Sequence, residues 1–474
     1  MRMTRIDGFF VYPDSVHEIP GTKVFMAKTG EGDRLVIQGN NPGFTGEEQD
    51  GNLLAPLTHE NARVLRRLFP FTAPRQGLAG CCSIGVGDRL GVAAQGHIRA
   101  FKRYPKVFPV FAQQSIRELT LTRRGYEDVL DCVSFAVFRE GYTSGFGADG
   151  DHLKKSEEIE HALRCGYSML TLDSSEHIRG EAAGMDGKEV LAIWAGDREL
   201  EEVYLDRGIA VAPGVSLCFT REELARAALI YGEAIGFIRD IYVRYVEGKT
   251  VDFEVSIDET MTPTSPLQHY FVANELYRRG VRVQSLAPRF IGEFQKGIDY
   301  IGDLARFDEE LAVHEAIAEK FGYKISVHSG SDKFKVFPSV GRLCGGIFHL
   351  KTAGTNWLEA VRLAAIKEPA FYRRMHAFAL AHFDEARKYY HVTTDVSKIP
   401  PLESLSDARL PELMDDVNAR QLLHITYGLI LTAENETGDM YLRRELYSLL
   451  DRCSEDYADL LDGHIGRHLK ALLG

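Results

Sequence analysis

Short apolar runs alternate with helical patterning through the middle of the chain. VFPVFAQQS is continuous apolar sequence ending in amides, and RRGYEDVLDCVSFAVFREG follows with apolar positions at helical spacing. TSGFGADGDHLKK, the helix SEEIEHALRCG and the strand YSMLTLDSS come next. After a helix-rich interval around ARAALIYGEAIGFIRDIYVRYVEG, the order is VDFEVSIDET, PLQHYFVANELYRRG, VRVQSLAPRF and DEELAVHEAIAEKFG, then the runs ending in His328 and His349. This strand–helix alternation predicts βαβ units and a parallel sheet. About seven candidate strands approach the eight of a (β/α)8 TIM-like barrel, so the fold class is α/β.

The flanks differ. Residues 1–100 carry brief β-type runs (GFFVYPDS, TKVFMAKTG, DRLVIQGN and GVAAQGHIRAF) between Gly, Pro, Asn and Asp, which predict a β-rich N-terminal layer or lid. Residues 101–368 form the expected barrel core, and 369–474 read as helices only, an extension packed on the barrel.

Composition narrows the partners. A 474-residue chain with 45% hydrophobic residues holds a substantial core. A net charge of −12 argues against nucleic acid or an anionic membrane surface as partner. The sequence shows no apolar leader and no long uncharged apolar run, which points to a cytoplasmic protein. Its seven Cys form no CxxC, suit a reducing compartment and read as small core residues. A homo-oligomer is compatible with all of this.

Candidate chemistry gathers at the predicted strand ends. His328 and His349 each close an apolar run and precede Gly, Ser, Thr or Lys, the arrangement by which barrels build active sites. In GADGDHLKK, the adjacent Asp151 and His152 suit a metal site, with a helix N-cap as the alternative reading of Asp151. In VDFEVSIDET, Phe253, Val255 and Ile257 share one face while Glu254, Ser256 and Asp258 share the other. Glu259, at the end of that strand, is favoured over Glu254 as an acid or base, because acids low in a barrel are costly unless paired. Asp258 ranks third, and Asp173 follows the same logic. Lys333, Lys335, Arg342 and Lys351 supply local positive charge for an anionic ligand, and Arg289 suits a bidentate carboxylate contact, with Glu293 and Lys296 just beyond. His161, His177 and His269 show no repeated ligand spacing and read as structural.

Together GADGDHLKK, VDFEVSIDET, SVHSGSDKFKVFPSVG and GGIFHLKTAGTNWLEA resemble the tagaturonate epimerase family over most of the chain, SVHSGSDKF being the most specific piece. The resemblance implies a metal-dependent isomerase of hexuronate catabolism that interconverts D-tagaturonate and D-fructuronate on a (β/α)8-type barrel. Carried over by residue, it implies Asp151 and Glu259 as opposed acid/base groups and His152, His328 and His349 as metal ligands. Lys333, Lys351, Arg289 and Ser329 are the expected contacts to the anionic sugar acid.

The two hexulosonates differ at the carbon β to the ketone, whose proton the carbonyl does not acidify. Simple α-proton abstraction therefore cannot invert it. One route is retro-aldol cleavage of the C3–C4 bond, rotation of the aldehyde fragment and re-addition, with a divalent ion (Zn, Mn, Ni or Fe) as Lewis acid and a carboxylate shuttling the hydroxyl proton. Redox inversion through a transient ketone is the other, and the sequence carries no dinucleotide fingerprint. A metal-dependent sugar-acid aldolase or isomerase would use the same ligands. A non-catalytic sugar-binding protein would rely on aromatic platforms, yet only two Trp are present.

Overall fold

A computed structural model describes residues 3–474. Eight parallel strands close a barrel in chain order: β1 (Ser83–Val86), β2 (Phe108–Ser115), β3 (Gly147–Leu153), β4 (Met169–Asp173), β5 (Asp252–Ser256), β6 (Ser285–Ala287), β7 (Lys324–Val327) and β8 (His349–Thr352). β8 pairs with β1 to complete the ring. The strand missing from the sequence count is β1, which lies inside the segment assigned to the N-terminal layer. Its four residues, flanked by Gly and Cys, are too short a run to stand out.

Alternation along each strand separates two environments. Phe253, Val255 and Ile257 join the apolar layer between strands and helices, while Glu254 and Ser256 point inward and are buried. The stretch GVAAQGHIRAF is not a strand: Ala94–Lys102 is helical, since Ala94, Ile98 and Phe101 recur at the spacing of one helix face.

The N-terminal layer is a seven-stranded antiparallel sheet whose central hairpin pairs Thr22–Thr29 with Gly32–Gly39. Val24, Met26, Leu35 and Ile37 face Phe135 and Phe138 of the helix after β2, and this contact seats the sheet on the barrel wall. Val11, Phe25, Ala27 and Val36 form a small second cluster on the other face.

The C-terminal extension has its own core, built with Trp357, Leu358 and Val361 from the helix after β8. The indole Nε1 of Trp357 donates to the Leu423 carbonyl at 2.9 Å. The last helix, Ser454–Leu473, packs against the helices after β1 and β8, so the extension is continuous with the outer ring. Among the described residues no helix is long and apolar enough to cross a membrane.

Candidate functional site

A cavity of about 350 Å³ opens at the carboxyl ends of the strands. Strand ends supply Gln113, Asp151, His152, Asp173, Asp258, His328 and Lys351; the extension closes one side with Tyr390 and His424.

β3 delivers Asp151 and His152 through an irregularity. Its pairing with β4 shifts register between Gly150 and Leu153, and His152 takes φ +55°, a conformation held only where surroundings enforce it. GADGDHLKK is thus a bulged strand rather than a turn before a helix, and the following helix is capped at Lys155, not Asp151. The bulge keeps Asp151 inside while turning His152 to the rim. The two interact directly, His152 Nδ1 lying 2.8 Å from Asp151 Oδ1.

His328 follows β7 and meets two acids from the β5 segment: its Nε2 is 2.8 Å from Glu254 Oε1 and its Nδ1 is 3.3 Å from Asp258 Oδ1. Burial disfavours the charged ring, but Asp258 and Glu254 outweigh it and raise the His328 pKa to about 10. Burial likewise opposes ionisation of Asp258 and Glu254, yet both carboxyls are held below the usual range, Glu254 by the Lys351 and His328 charges and Asp258 by His328 with His152 and the Ser256 hydroxyl. The rings of His152 and His328 are 5.0 Å apart.

Donor atoms of His152, Asp258 and His328 all lie within 4.8 Å of one another, and a second grouping shares His152 with Asp173 and Glu259. Two imidazoles with one or two carboxylates are an ordinary donor set for a first-row divalent ion. Asp151 on His152 and Glu254 on His328 hold the two rings in the way that outer carboxylates would orient imidazoles toward an ion.

His349 is placed elsewhere. It is the first residue of β8, not the last, so it sits one layer deeper, its Nδ1 2.8 Å from Ser83 Oγ. Burial pushes its pKa down to about 3. The apolar run Gly345–Phe348 is the approach to the strand rather than the strand itself.

The position that reaches the upper layer of β8 is Lys351. Its ammonium contacts Asp149 Oδ2 at 2.7 Å, Asp151 Oδ1 at 2.6 Å and Glu254 Oε1 at 2.9 Å. Burial opposes the charge, but these acids raise its pKa well above the usual lysine value. Lys351 is therefore engaged with protein carboxylates rather than free for a ligand anion. Lys333 is also committed, donating to the carbonyls of Gln295, Ile298 and Ser331, and burial lowers its pKa to about 7. Arg289 lies outside the main cavity, in an adjoining pocket with Glu259, Lys296 and Tyr390.

The structure offers other cations. Lys296 lines both pockets and bonds to Ser329 Oγ at 2.9 Å. Arg117 lines both as well, its guanidinium 5.6 Å from the Tyr390 ring. Arg89 is less available, because it pairs with Glu118 at 2.9 Å and stacks on Tyr427. Arg117 opens a helix after β2, where the sequence shows ordinary amphipathic patterning, so nothing local marks it. Exposed Glu259 and partly buried Asp258 follow β5 without capping a helix; Ser265 caps the next one.

A family model described as tagaturonate epimerase matches residues 12–472. The chain is 42% identical over 479 residues to the tagaturonate/fructuronate epimerase of Thermotoga maritima, the match spanning 98% of both proteins. It is also similar to crystal structures of the fructuronate-tagaturonate epimerase of Cohnella laeviribosi. A glycerol complex aligns at 52% identity and TM-score 0.96, covering 98% of this chain and 96% of that one. The native form aligns at 51% identity and TM-score 0.96, covering 98% and 97%. With a closed eightfold barrel, a rim of imidazoles and carboxylates, and relatives matched almost end to end, this chain belongs to the tagaturonate epimerase family of isomerases.

Proposed function

We propose that this chain interconverts D-tagaturonate and D-fructuronate by inverting the carbon β to the ketone, with a divalent metal held by His152, His328 and Asp258. One observation carries the metal assignment: donor atoms from β3, β5 and β7 converge within 4.8 Å beside the cavity. A divalent ion there would supply Lewis-acid polarisation of the ketone and its neighbouring oxygen, worth several kcal/mol.

The chain's own residues do the rest. Asp151, kept ionised by His152 and Lys351 against the cost of burial, is in the state a proton acceptor requires. Glu259 stands at the cavity mouth, near His152 and Asp173. These two carboxylates take the hydroxyl proton of the inverting carbon from one side and return it from the other. Lys296 and Arg117 bind the substrate carboxylate in place of Lys333 and Lys351, whose hydrogens are already used. The cavity keeps the two fragments of a retro-aldol cleavage together until the C–C bond re-forms.

Lys351 makes this arrangement tolerable, because Asp149, Asp151 and Glu254 share one small interior volume. Burial and the two neighbouring acids already push Asp149 up to about 6 with the ammonium present.

Four outcomes are expected. Purified protein given D-tagaturonate yields D-fructuronate, chelation stops turnover and re-added divalent ion restores it; full turnover in metal-free protein would remove the metal assignment, and release of two fragments would mark an aldolase. Glu259→Gln lowers kcat by about 10²- to 10⁴-fold with little change in KM, and an unchanged kcat ends its acid/base role. Lys296→Met raises KM roughly ten- to hundredfold, the loss of a charged hydrogen bond of about 1.5–3 kcal/mol; steady-state kinetics showing only a kcat defect would contradict it. Lys351→Met destabilises the fold by about 3–5 kcal/mol in denaturant titrations near neutrality. Without the ammonium the folded-state pKa of Asp149, already about 6 with it, rises further above its unfolded value and those of Asp151 and Glu254 rise as well, so the penalty is full only at pH above these raised values. It shrinks as pH falls through those raised values, and a deficit independent of pH would refute the account.

A further inference from the structure

On the outer wall of the barrel, away from the cavity, Glu127, His161 and Cys165 bring together a carboxylate, an imidazole and a thiol. Glu127 lies in the first turn of the helix after β2, Tyr126–Arg139. His161 and Cys165 stand four residues apart on the helix after β3, Ser156–Cys165, a spacing that puts both on one face. One ligand atom from each of the three lies within 4.8 Å of the others, and His161 Nε2 is 3.2 Å from Glu127 Oε1. The side chains of His161 and Glu127 keep 44% and 40% of their exposure, so an ion can reach them from solvent.

The imidazole is held in place. Tyr126 meets its ring edge-on at 5.4 Å and 88°, and Tyr126 is itself buried against Tyr167. Neither helix alone carries the pattern: His161 shows no repeated ligand spacing in the sequence, and its carboxylate partner comes from a different helix.

We propose that Glu127, His161 and Cys165 form a second, peripheral metal site that takes Zn²⁺ or a similar thiophilic divalent ion. A thiolate with an imidazole selects such ions over Mg²⁺ and Ca²⁺, which prefer oxygen. Ligand distances of about 2.0–2.3 Å require the three side chains to close in, which partly exposed side chains can do. Three protein ligands leave a fourth position for water. Burial and the neighbouring Glu127 push the Cys165 thiol up to about 12, so in the metal-free chain it is protonated, and ion binding releases that proton. The ion ties together the helices behind β2 and β3, and the second of these runs back from the bulge that carries His152.

Cobalt distinguishes this site from the catalytic one. No cysteine lines the cavity, so a thiolate-to-Co²⁺ charge-transfer band does not arise from an ion bound there, and its loss in Cys165→Ser assigns it to Cys165 among the seven cysteines. Full-length protein, stripped by chelation and titrated with Co²⁺, is expected to show that band at one thiolate per chain. Cys165→Ser should lose the band and one equivalent of bound Co²⁺ while keeping epimerase turnover on the remaining ion. His161→Gln, which leaves the thiol in place, should weaken the Co²⁺ affinity read from the band by about tenfold or more. A wild-type protein with no such band, a band that survives Cys165→Ser, or an affinity unchanged in His161→Gln would each overturn the proposal.

Discussion

The ammonium of Lys351 is the charge on which the interior of this barrel depends. Asp149, Asp151 and Glu254 all surround it inside the ring of strands, and three carboxylates in so dry a space cannot all stay ionised without a cation among them. Thr171 adds a hydroxyl to the same cluster, bonding both Asp149 and Glu254. From this centre the order spreads outward: Asp151 orients His152 at the rim, and Glu254 orients His328. One buried cation thereby places two imidazoles that come from strands far apart in the chain.

The rim is held from outside as well. The loop after β7 carries His328 and turns through positive φ at Ser329 and Asp332, conformations that need surrounding support. That support comes from the helical extension: Arg420 pairs with Asp332, and the backbone N–H of Asp332 donates to His468 at 3.0 Å. Arg420 also donates from Nε to the Gly297 carbonyl, beside Lys296. Tyr390 and His424 then complete the cavity wall. The extension serves the site in two ways, as a wall and as a brace for the loops that bear its polar groups.

Much of this was legible before any coordinates. Strands such as β2, β4 and β5 announce themselves as largely apolar runs between helical patterns, because burial on both faces leaves little room for polar residues, whereas β3 and β8, which carry Asp149, Asp151, His349 and Lys351, are marked only by their place in the alternation. The period of two in β5 correctly separated Phe253, Val255 and Ile257 from Glu254, Ser256 and Asp258. The sequence favours Glu259 over Glu254 because the partners of Glu254 are distant along the chain: Lys351 and His328 stabilise the inward acid, and no local pattern announces a cross-barrel ion pair. His349 stands a layer deeper in the barrel than its place after an apolar run suggests, because β8 begins at His349 rather than ending there.

The sequence by itself determined the fold class, the β-rich and helical flanks, the acid–imidazole character of the site and the family, since each follows from local periodicity or from contiguous motifs. Only the tertiary structure decided which charges are free. Lys333 and Lys351 rank ahead of Lys296 along the string, yet the first is consumed by three carbonyls and the second by three carboxylates. Whether a cation can meet a ligand depends on what else lies within hydrogen-bond reach, and those neighbours come from strands and loops that meet only when the barrel closes.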